Sequence, residues 1–389
     1  MNNIAILGST GSIGKTTLSI VRQNKKNFKI RLLSTNSNIK KIFNQAKEFK
    51  VKNVIILKKN INKTWKKKFK INKINIYNDF NIFKKIIKKK LDYVINGISG
   101  IDGLEPTLNI IKFTKKIAIA NKESIICGWN LINNALLKYK TQFIPVDSEH
   151  FSIFQLIKNQ NPNLIKKIII TASGGPFLKK KSFDKIRVKE ALKHPTWKMG
   201  KKISIDSSTM MNKVFEVIEA KKIFKINIKK IEILINPNSY LHAIIIFNNG
   251  TIKILAHETK MDIPIYNSIY SYLSLRNYYK TKNLNIDKIN NLNLSKPDTK
   301  YFNSLRSLKL IPDKDSLFET ILISVNDELV KLFLNKTIEF KKISIYLLKI
   351  INFKTFKKYC KIKPSSIKEI LTARELAIKS VRNYVSKKI

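Results

Sequence analysis

The segment IAILGSTGSIG (residues 4–14) decides the fold of this chain. Its apolar start predicts a buried strand, Gly8, Gly11 and Gly14 predict a tight turn, and the apolar positions that follow predict an amphipathic helix. Glycines let the backbone approach a phosphate, and the first turn of a helix offers N–H groups and positive potential. The order of strand, glycine turn and helix therefore predicts a phosphate-binding unit.

The glycine spacing leaves two interpretations open. It is GxxGxxG, whereas dinucleotide sites more often have GxGxxG. The end of the segment, Gly14-Lys15-Thr16, also resembles a P-loop, but Ser9 stands where the first P-loop glycine belongs. A nucleotide triphosphatase would further need Asp147 as its distant metal aspartate. The missing glycine favours the dinucleotide interpretation.

Further apolar segments alternate with helical patterns through the first part of the chain, as in a doubly wound parallel sheet. The predicted strands are Phe28–Leu33, Asn53–Leu57, Tyr93–Asn96, Lys116–Ala120 and Gln142–Val146. No carboxylate follows the second strand, in residues 34–38, to hold a ribose hydroxyl. Lys40 and Lys41 lie close by, which favours NADP over NAD.

Composition limits the function classes. The chain has 389 residues, enough for two or three domains, and its 43% hydrophobic content is typical of a globular protein. It has no apolar run long enough for a membrane span. A strand begins at once after Met1, so we expect no targeting segment. The distant cysteines, Cys127 and Cys360, indicate a reducing, cytoplasmic location.

The formal net charge of +50 raises the question of nucleic-acid binding. The lysines occur along the whole chain together with an excess of Ile and Asn, a composition typical of a strongly AT-biased genome. No nucleic-acid module accompanies them. We expect no specific nucleic-acid partner, only weak, salt-sensitive adhesion to polyanions.

An acidic pair stands out in this basic chain, in the segment PVDSEH (residues 145–150). If the preceding strand continues, Asp147 and Glu149 point to the same face, because side chains two apart on a strand do so. Two carboxylates that close need a cation or a shared proton. The alternative is a solvated loop that caps a helix.

A second polar group falls on a predicted helix, residues 210–220. Asn212 and Glu216 are four residues apart and share a face, and Lys213 lies beside them. Glu216 is a candidate third ligand for a hard cation held by Asp147 and Glu149. Lys213 is a candidate phosphate ligand.

Other candidate positions follow predicted strands. Lys122 follows a buried strand, and Ser173 precedes two glycines whose N–H groups could close around an oxyanion. The proline and glycine of the segment KHPTWKMG (residues 193–200) predict an exposed loop that could act as a lid. Asn249-Gly250 predicts a hairpin.

We expect an α/β chain with four parts. These are an N-terminal Rossmann-type NADPH-binding domain (1–148), a central α+β catalytic domain (149–275) with its lid at about 173–200, a linker (276–305) and a C-terminal helical bundle (306–389).

Together these motifs resemble the 1-deoxy-D-xylulose 5-phosphate reductoisomerase family. The matching stretches are GSTGSIG (8–14), ANKES (120–124), PVDSEH (145–150), SGGPF (173–177), KHPTWKMG (193–200) and KISIDSSTMMNK (202–213), followed by Glu216. The resemblance implies rearrangement of the sugar phosphate to a branched aldose phosphate and its reduction by NADPH, with Mg2+ or Mn2+, in isoprenoid precursor synthesis. It also implies a homodimer.

The resemblance assigns roles residue by residue. It places the metal on Asp147, Glu149 and Glu216, which together with Lys122 and His194 form the implied catalytic set. Implied substrate contacts are Lys122, Ser148, Glu149, Ser173, His194, Ser207, Asn212, Lys213 and Glu216. Implied cofactor contacts are Gly8, Ser9, Thr10, Gly11, Ser12, Ile13, Asn36, Asn38, Asn121, Glu123 and Gly200. The implied lid side chains are His194, Trp197 and Met199.

The chain departs from the family pattern at three places. Asn36-Ser37-Asn38 replaces a glycine, a basic residue and Asn, so Lys40 or Arg31 is expected to meet the NADPH 2′-phosphate instead. Asn236-Pro237-Asn238-Ser239 replaces His-Pro-Gln-Ser, and residues 259–262 replace Pro-Asp-Met-Arg. Two hypotheses follow, an active enzyme and a weakened relative whose supporting residues have drifted.

Overall fold

The structure is a computed structural model that describes residues 1–180, 182–270 and 285–388. The end of the predicted catalytic domain and the first part of the predicted linker, at 271–284, lie outside the described residues. The strands are β1 (Asn2–Leu7), β2 (Phe28–Thr35), β3 (Asn53–Ile56), β4 (Asn75–Tyr77), β5 (Tyr93–Asn96), β6 (Lys116–Ile119), β7 (Gln142–Pro145), β8 (Ile165–Ala172), β9 (Ile231–Ile235), β10 (Leu241–Phe247) and β11 (Ile252–Ala256). The helices are α1 (Ser12–Gln23), α2 (Ile39–Glu48), α3 (Lys63–Ile71), α4 (Phe83–Ile86), α5 (Leu104–Ile111), α6 (Lys122–Tyr139), α7 (Ser148–Ile157), α8 (Val188–Ala191), α9 (Lys201–Ser208), α10 (Met211–Phe224), α11 (Asp262–Tyr270), α12 (Ile286–Asn290), α13 (Phe318–Leu334), α14 (Phe340–Ile351), α15 (Lys354–Lys357) and α16 (Ile367–Ser386).

The first seven strands form one parallel sheet in the order β4-β3-β2-β1-β5-β6-β7. Residues 4–7 of β1 are buried, as expected for a central strand covered on both faces. The strand order reverses between β1 and β5, which creates the crevice where such sheets bind ligands. The predicted doubly wound sheet is confirmed, and the glycine turn lies at its switch point.

Edge strand β4 was absent from the predicted set. It has three residues, Asn75–Tyr77, and pairs only with β3 in the described sheet. One of the three is asparagine, and lysines and asparagines surround them. Such a short polar segment has no apolar run that could signal a strand.

A second sheet has the order β11-β10-β8-β9, with β8 and β9 parallel and the other pairs antiparallel. The predicted hairpin at Asn249-Gly250 is confirmed between β10 and β11. One face of the sheet packs against α7 and α10 through residues such as Ile153, Val217 and Phe247. On β11, Ile252 and Ile254 are 59% and 53% exposed.

The described chain divides into two compact units. The first contains residues 1–125, 131–147 and 261–270, and the second contains 126–130, 148–260 and the described residues from 285 onward. Helix α11 belongs to the first unit because Ile265 and Ile269 complete its apolar core. The sequence predicts this segment in the catalytic domain (149–275), because its apolar residues do not show which core they join.

The C-terminal helices belong to the second unit, within which α13 packs against α14 and α16. They confirm the predicted C-terminal helical region. The described part of the expected linker contains α12 and a bridge from Ser295 to Ile235. Among the described residues, no helix combines the length and the apolar character that crossing a bilayer requires.

Candidate active site

Two buried carboxylates share one lysine in the second unit. Glu149 lies in the first turn of α7, and Lys213 and Glu216 lie one turn apart on α10. The Nζ atom of Lys213 is 2.7 Å from Oε1 of Glu149 and also contacts Oε2 of Glu216. Asn212 donates a hydrogen bond to Glu216, and Ser148 donates one to Glu149. All five predicted residues therefore meet in one cluster.

The ammonium group of Lys213 stays charged in this cluster. Burial by itself lowers the pKa of Lys213, but the charges of Glu149 and Glu216, with their hydrogen bonds, outweigh burial and raise it above the ordinary value. A charged lysine here neutralises only one of the two carboxylates.

Asp147 adds a third carboxylate. Its Oδ2 atom is 3.2 Å from Nζ of Lys122. Asp147, Glu149 and Glu216 each offer a carboxylate oxygen, and these oxygens lie within 4.8 Å of one another. Three carboxylates against two ammonium groups leave a negative excess, and all three donors are hard oxygens. This donor set fits Mg2+ or Mn2+.

The acidic pair converges for a different reason from the one predicted. Strand β7 ends at Pro145 and α7 begins at Ser148, so Asp147 lies at the turn between them and Glu149 is helical. Strand alternation therefore does not apply. A helix does begin here, as in the alternative interpretation, but Glu149 is buried and not solvated.

His150, on α7, contacts helix α10 through both nitrogens of its ring. Its Nε2 atom is 2.9 Å from the backbone oxygen of Glu216, and its Nδ1 atom is 3.5 Å from Oε2 of Glu219. Both side chains are buried. His150, on α7, thus holds Glu149 close to Glu216, on α10.

A second polar group lies around His194. Its Nε2 atom is 2.9 Å from Oγ of Ser173 and 3.1 Å from Oγ of Ser207. Gly175 follows in the left-handed region, at φ +67°, and its N–H donates to Oγ of Ser173. A Cβ atom on Gly175 would lie 3.0 Å from the backbone oxygen of Ser207, so a side chain there would crowd these groups.

Burial, followed by the charge of Lys213, lowers the pKa of His194 to about 4. The imidazole is therefore neutral at pH 7 and can present a single N–H group. Neutral N–H and O–H donors near a lysine form a suitable site for a phosphate group.

The glycine turn has the geometry of a phosphate cradle. Gly8 has φ +76°, and a Cβ atom there would lie 2.9 Å from the backbone of Gly97. Gly11 caps α1 in an extended conformation without a side-chain cap, and the first turn of α1 has no acidic residue. The N–H groups that begin at Ser12 and Ile13 can therefore serve an anionic ligand.

Ser9 has a structural role within this turn. Its buried hydroxyl donates to Oε1 of Gln45, and its backbone oxygen accepts from Nε2 of Gln45. Next to it, the hydroxyl of Thr10 lies 2.7 Å from that of Thr35. Ser9 thus points inward, which argues further against a P-loop.

Four of the five remaining cofactor candidates lie at helix starts. Asn38 caps α2, and Asn121 caps α6 while donating to the backbone of Ile98 and Gly100. Glu123 lies in the first turn of α6, and Gly200 caps α9 in the second unit. The exposed Asn36 accepts a hydrogen bond through its backbone oxygen from the N–H of Lys58.

Lys15 and Lys41 form a cationic pair that the sequence does not predict. Contact with Lys15, followed by burial and the Lys15 charge, lowers the pKa of Lys41. Lys41 lies in the first turn of α2. This helix follows β2, which is the neighbour of β1 in the sheet, and the glycine turn follows β1. The sequence favours Lys40 or Arg31 instead, because it does not show which lysine lies next to Lys15.

Models of reductoisomerase domains match most of the chain. The 1-deoxy-D-xylulose 5-phosphate reductoisomerase model matches residues 4–128, the model of its C-terminal domain matches 143–224, and the DXP reductoisomerase C-terminal domain model matches 257–380. The reductoisomerase of Pelagibacter ubique is 55% identical over 393 residues, covering 100% of this chain and 99% of the relative. That of Sulfurihydrogenibium sp. is 38% identical, covering 88% of each.

Solved structures agree with these matches. The 1-deoxy-D-xylulose 5-phosphate reductoisomerase from Zymomonas mobilis, in complex with NADPH, superposes with a TM-score of 0.86 at 29% identity and covers 99% of both chains. A DOX-P reductoisomerase in complex with NADPH, fosmidomycin and magnesium gives a TM-score of 0.90 at 29% identity, with 99% of this chain and 98% of that chain covered.

Proposed function

This chain belongs to the 1-deoxy-D-xylulose 5-phosphate reductoisomerase family, and from this premise we propose how its residues perform that reaction. The protein is an NADPH-dependent oxidoreductase. It converts 1-deoxy-D-xylulose 5-phosphate to 2-C-methyl-D-erythritol 4-phosphate with NADPH and a divalent cation. The observation that carries the proposal for the site is the convergence of Asp147, Glu149 and Glu216.

These three carboxylates would hold Mg2+ or Mn2+. The bound cation supplies polarisation of the substrate's carbonyl and hydroxyl oxygens, and NADPH supplies the hydride. Lys213 keeps the carboxylates together by charge. Lys122, which pairs with Asp147, can donate to a substrate hydroxyl and stabilise negative charge that develops there.

The group around His194 would bind the substrate phosphate. The hydroxyls of Ser173 and Ser207 and the Nε2 atom of His194 lie within hydrogen-bond distance of each other. Asn212 and Lys213, at the start of α10, extend this polar set. Holding the phosphate end fixes the reacting carbons relative to the carboxylates, which lowers the entropic part of the barrier.

The glycine turn of residues 8–13 would bind the NADPH pyrophosphate at the N-terminus of α1. Lys15 and Lys41 would bind the 2′-phosphate, because an anion between them would relieve their repulsion. Asn36, Asn38, Asn121, Glu123 and Gly200 stay predictions as cofactor contacts.

Product identification tests this function. We expect the chain, incubated with 1-deoxy-D-xylulose 5-phosphate, NADPH and Mn2+, to yield a branched polyol phosphate detected by mass spectrometry and NMR. A folded protein that binds NADPH but forms no product would instead support the weakened-relative hypothesis.

We further propose a homodimer formed through the second sheet. Strand β11 is an edge strand, with backbone groups available for pairing, and it exposes Ile252 and Ile254. Lys253 of the same strand lies over the ring of Phe247, on the face opposite to Ile252 and Ile254. The face that carries the two isoleucines therefore allows two copies of this basic chain to approach without placing lysines against each other.

Light scattering after gel filtration tests the dimer. We expect the Ile254→Lys variant to elute as a monomer, because two lysines would then face each other across the paired edges. Ile71→Lys is the matched control, since Ile71 is 68% exposed on the first unit. A wild-type monomer, or an Ile254→Lys dimer, would contradict the proposal.

We also propose a cytoplasmic location, where thiols stay reduced. Neither Cys127 nor Cys360 forms a disulfide, and Cys127 is buried. Fractionation of the source cells, followed by immunoblotting, tests the location. Recovery in an oxidising compartment would contradict it.

A further inference from the structure

The segment from His194 to Trp197 folds back on the ring of its own histidine. The backbone N–H of Trp197 donates to Nδ1 of His194 over 2.9 Å, and the N–H of Thr196 donates to it over 3.2 Å. A backbone amide can donate but cannot accept through its nitrogen. Nδ1 of His194 must therefore carry the lone pair.

The proton of the neutral ring must then lie on Nε2. That atom faces the hydroxyls of Ser173 and Ser207 at 2.9 and 3.1 Å. In the other tautomer, an N–H on Nδ1 would face two N–H groups, and both backbone donors would lose their acceptor. The shape of residues 194–197 thus decides which nitrogen of His194 can donate.

A contact with the turn before β10 holds this segment in place. The hydroxyl of Thr196 lies 3.0 Å from the hydroxyl of Ser239, which is buried. Ser239 itself is held at φ +52° by a turn in which its N–H donates to the backbone oxygen of Asn236. A non-glycine residue with this φ carries strain, so the surrounding structure must fix it there.

Aromatic rings add a second contact, between this segment and β10. The ring of Trp197 meets that of His242 edge-on, with centroids 6.2 Å apart. His242 in turn stacks on His257, with centroids 3.8 Å apart. The segment therefore contacts the turn before β10 through one hydrogen bond and β10 itself through one ring contact.

We propose that Thr196 and Ser239 are positioning residues for the phosphate site, whose hydrogen bond holds His194 as the Nε2–H tautomer that donates to the substrate phosphate. This inference rests on the proposed function, which places the phosphate at His194. Thr196 and Ser239 act through His194 and need not touch the substrate.

NMR of protein labelled with 15N-histidine tests the tautomer directly. The chain has four histidines, so the His194 signals can be assigned by their loss in His194→Gln. We expect wild-type His194 to show one tautomer, with Nδ1 unprotonated. Thr196→Val and Ser239→Ala should each show a mixture of tautomers and a His194 pKa nearer the ordinary value. Thr196→Ser should restore the wild-type signals, and Thr64→Val, at an exposed threonine, should leave them unchanged.

Binding of inorganic phosphate gives a second readout. We expect an about fivefold weaker affinity in Thr196→Val, the effect of one ordinary hydrogen bond, and recovery in Thr196→Ser. A single unchanged tautomer in both Thr196→Val and Ser239→Ala would overturn the inference. Unchanged phosphate binding in His194→Gln would instead contradict the proposed phosphate site, so the two failures are distinguishable.

Discussion

The ammonium nitrogen of Lys213 lies 2.7 Å from Oε1 of Glu149 and contacts Glu216, so one cation separates two buried carboxylates. Removing that cation leaves two like charges together in a buried site. We expect Lys213→Met to lower the free energy of unfolding by about 3 kcal/mol without added metal, as when one partner of a buried ion pair is lost.

Added Mn2+ should recover part of that loss, because a divalent cation neutralises the same carboxylates and binds only the folded state. Thermal unfolding with and without Mn2+ measures both effects. The control is Lys166→Met, which removes an exposed lysine of β8. Equal melting temperatures for Lys213→Met and the control would show that the carboxylates do not depend on Lys213.

Glu149→Gln should abolish turnover while NADPH still binds. The substitution keeps the size of the side chain but removes a charged oxygen ligand, and we expect Mn2+ affinity to fall by more than about a hundredfold. Electron paramagnetic resonance of free Mn2+ and NADPH fluorescence measure the two binding steps. Glu232→Gln, at a half-exposed ion pair on β9, should change neither. Unchanged Mn2+ affinity in Glu149→Gln would remove Glu149 from the metal site.

His194 should remain neutral through the pH range in which the enzyme works. Its pKa of about 4 lies below the ordinary value of 6.5, so the folded state binds fewer protons than the unfolded state between these values. Stability from this group is therefore complete above pH 6.5 and is lost as pH falls towards 4. NMR titration measures the pKa, and His194→Asn should weaken the loss of stability below pH 6.5. A measured pKa near 6.5 would contradict this environment.

Lys41→Gln should weaken NADPH binding about tenfold and leave NADH binding nearly unchanged, because only NADPH carries the 2′-phosphate that a charge-assisted hydrogen bond would meet. Fluorescence titration with each nucleotide measures the ratio. Lys47→Gln, at an exposed lysine on the same helix, is the control. An equal loss of affinity for NADPH and NADH would place Lys41 away from the 2′-phosphate.

Much of the fold could be predicted because its signals are local. The glycine turn at residues 8–14 and the apolar stripes of α13, α14 and α16 depend on neighbouring residues only. The helical spacing of Asn212, Lys213 and Glu216 likewise predicted their cluster. Edge strand β4 escaped prediction because it lacks an apolar run. Helix α7 entered only through the alternative interpretation of residues 145–150, because it begins with polar residues.

Contacts between distant segments could not be predicted in the same way. Thr196 meets Ser239, and Lys41 meets Lys15, only after the chain has folded. In a chain so rich in lysine, the sequence also does not distinguish functional lysines from the many exposed ones. The tautomer of His194 depends on backbone N–H groups. Every residue except proline has one, so the sequence does not show which of them contact His194.

The most direct test of the account is the oxidation of NADPH measured by absorbance with 1-deoxy-D-xylulose 5-phosphate, before and after chelation of metal. We expect oxidation that needs the sugar phosphate, stops on chelation and returns with Mn2+ or Mg2+. The Glu216→Gln variant should stay inactive under all these conditions. NADPH oxidation that is unaffected by chelation would contradict a metal-dependent reductoisomerase. The same holds if folded, metal-loaded protein shows no NADPH oxidation.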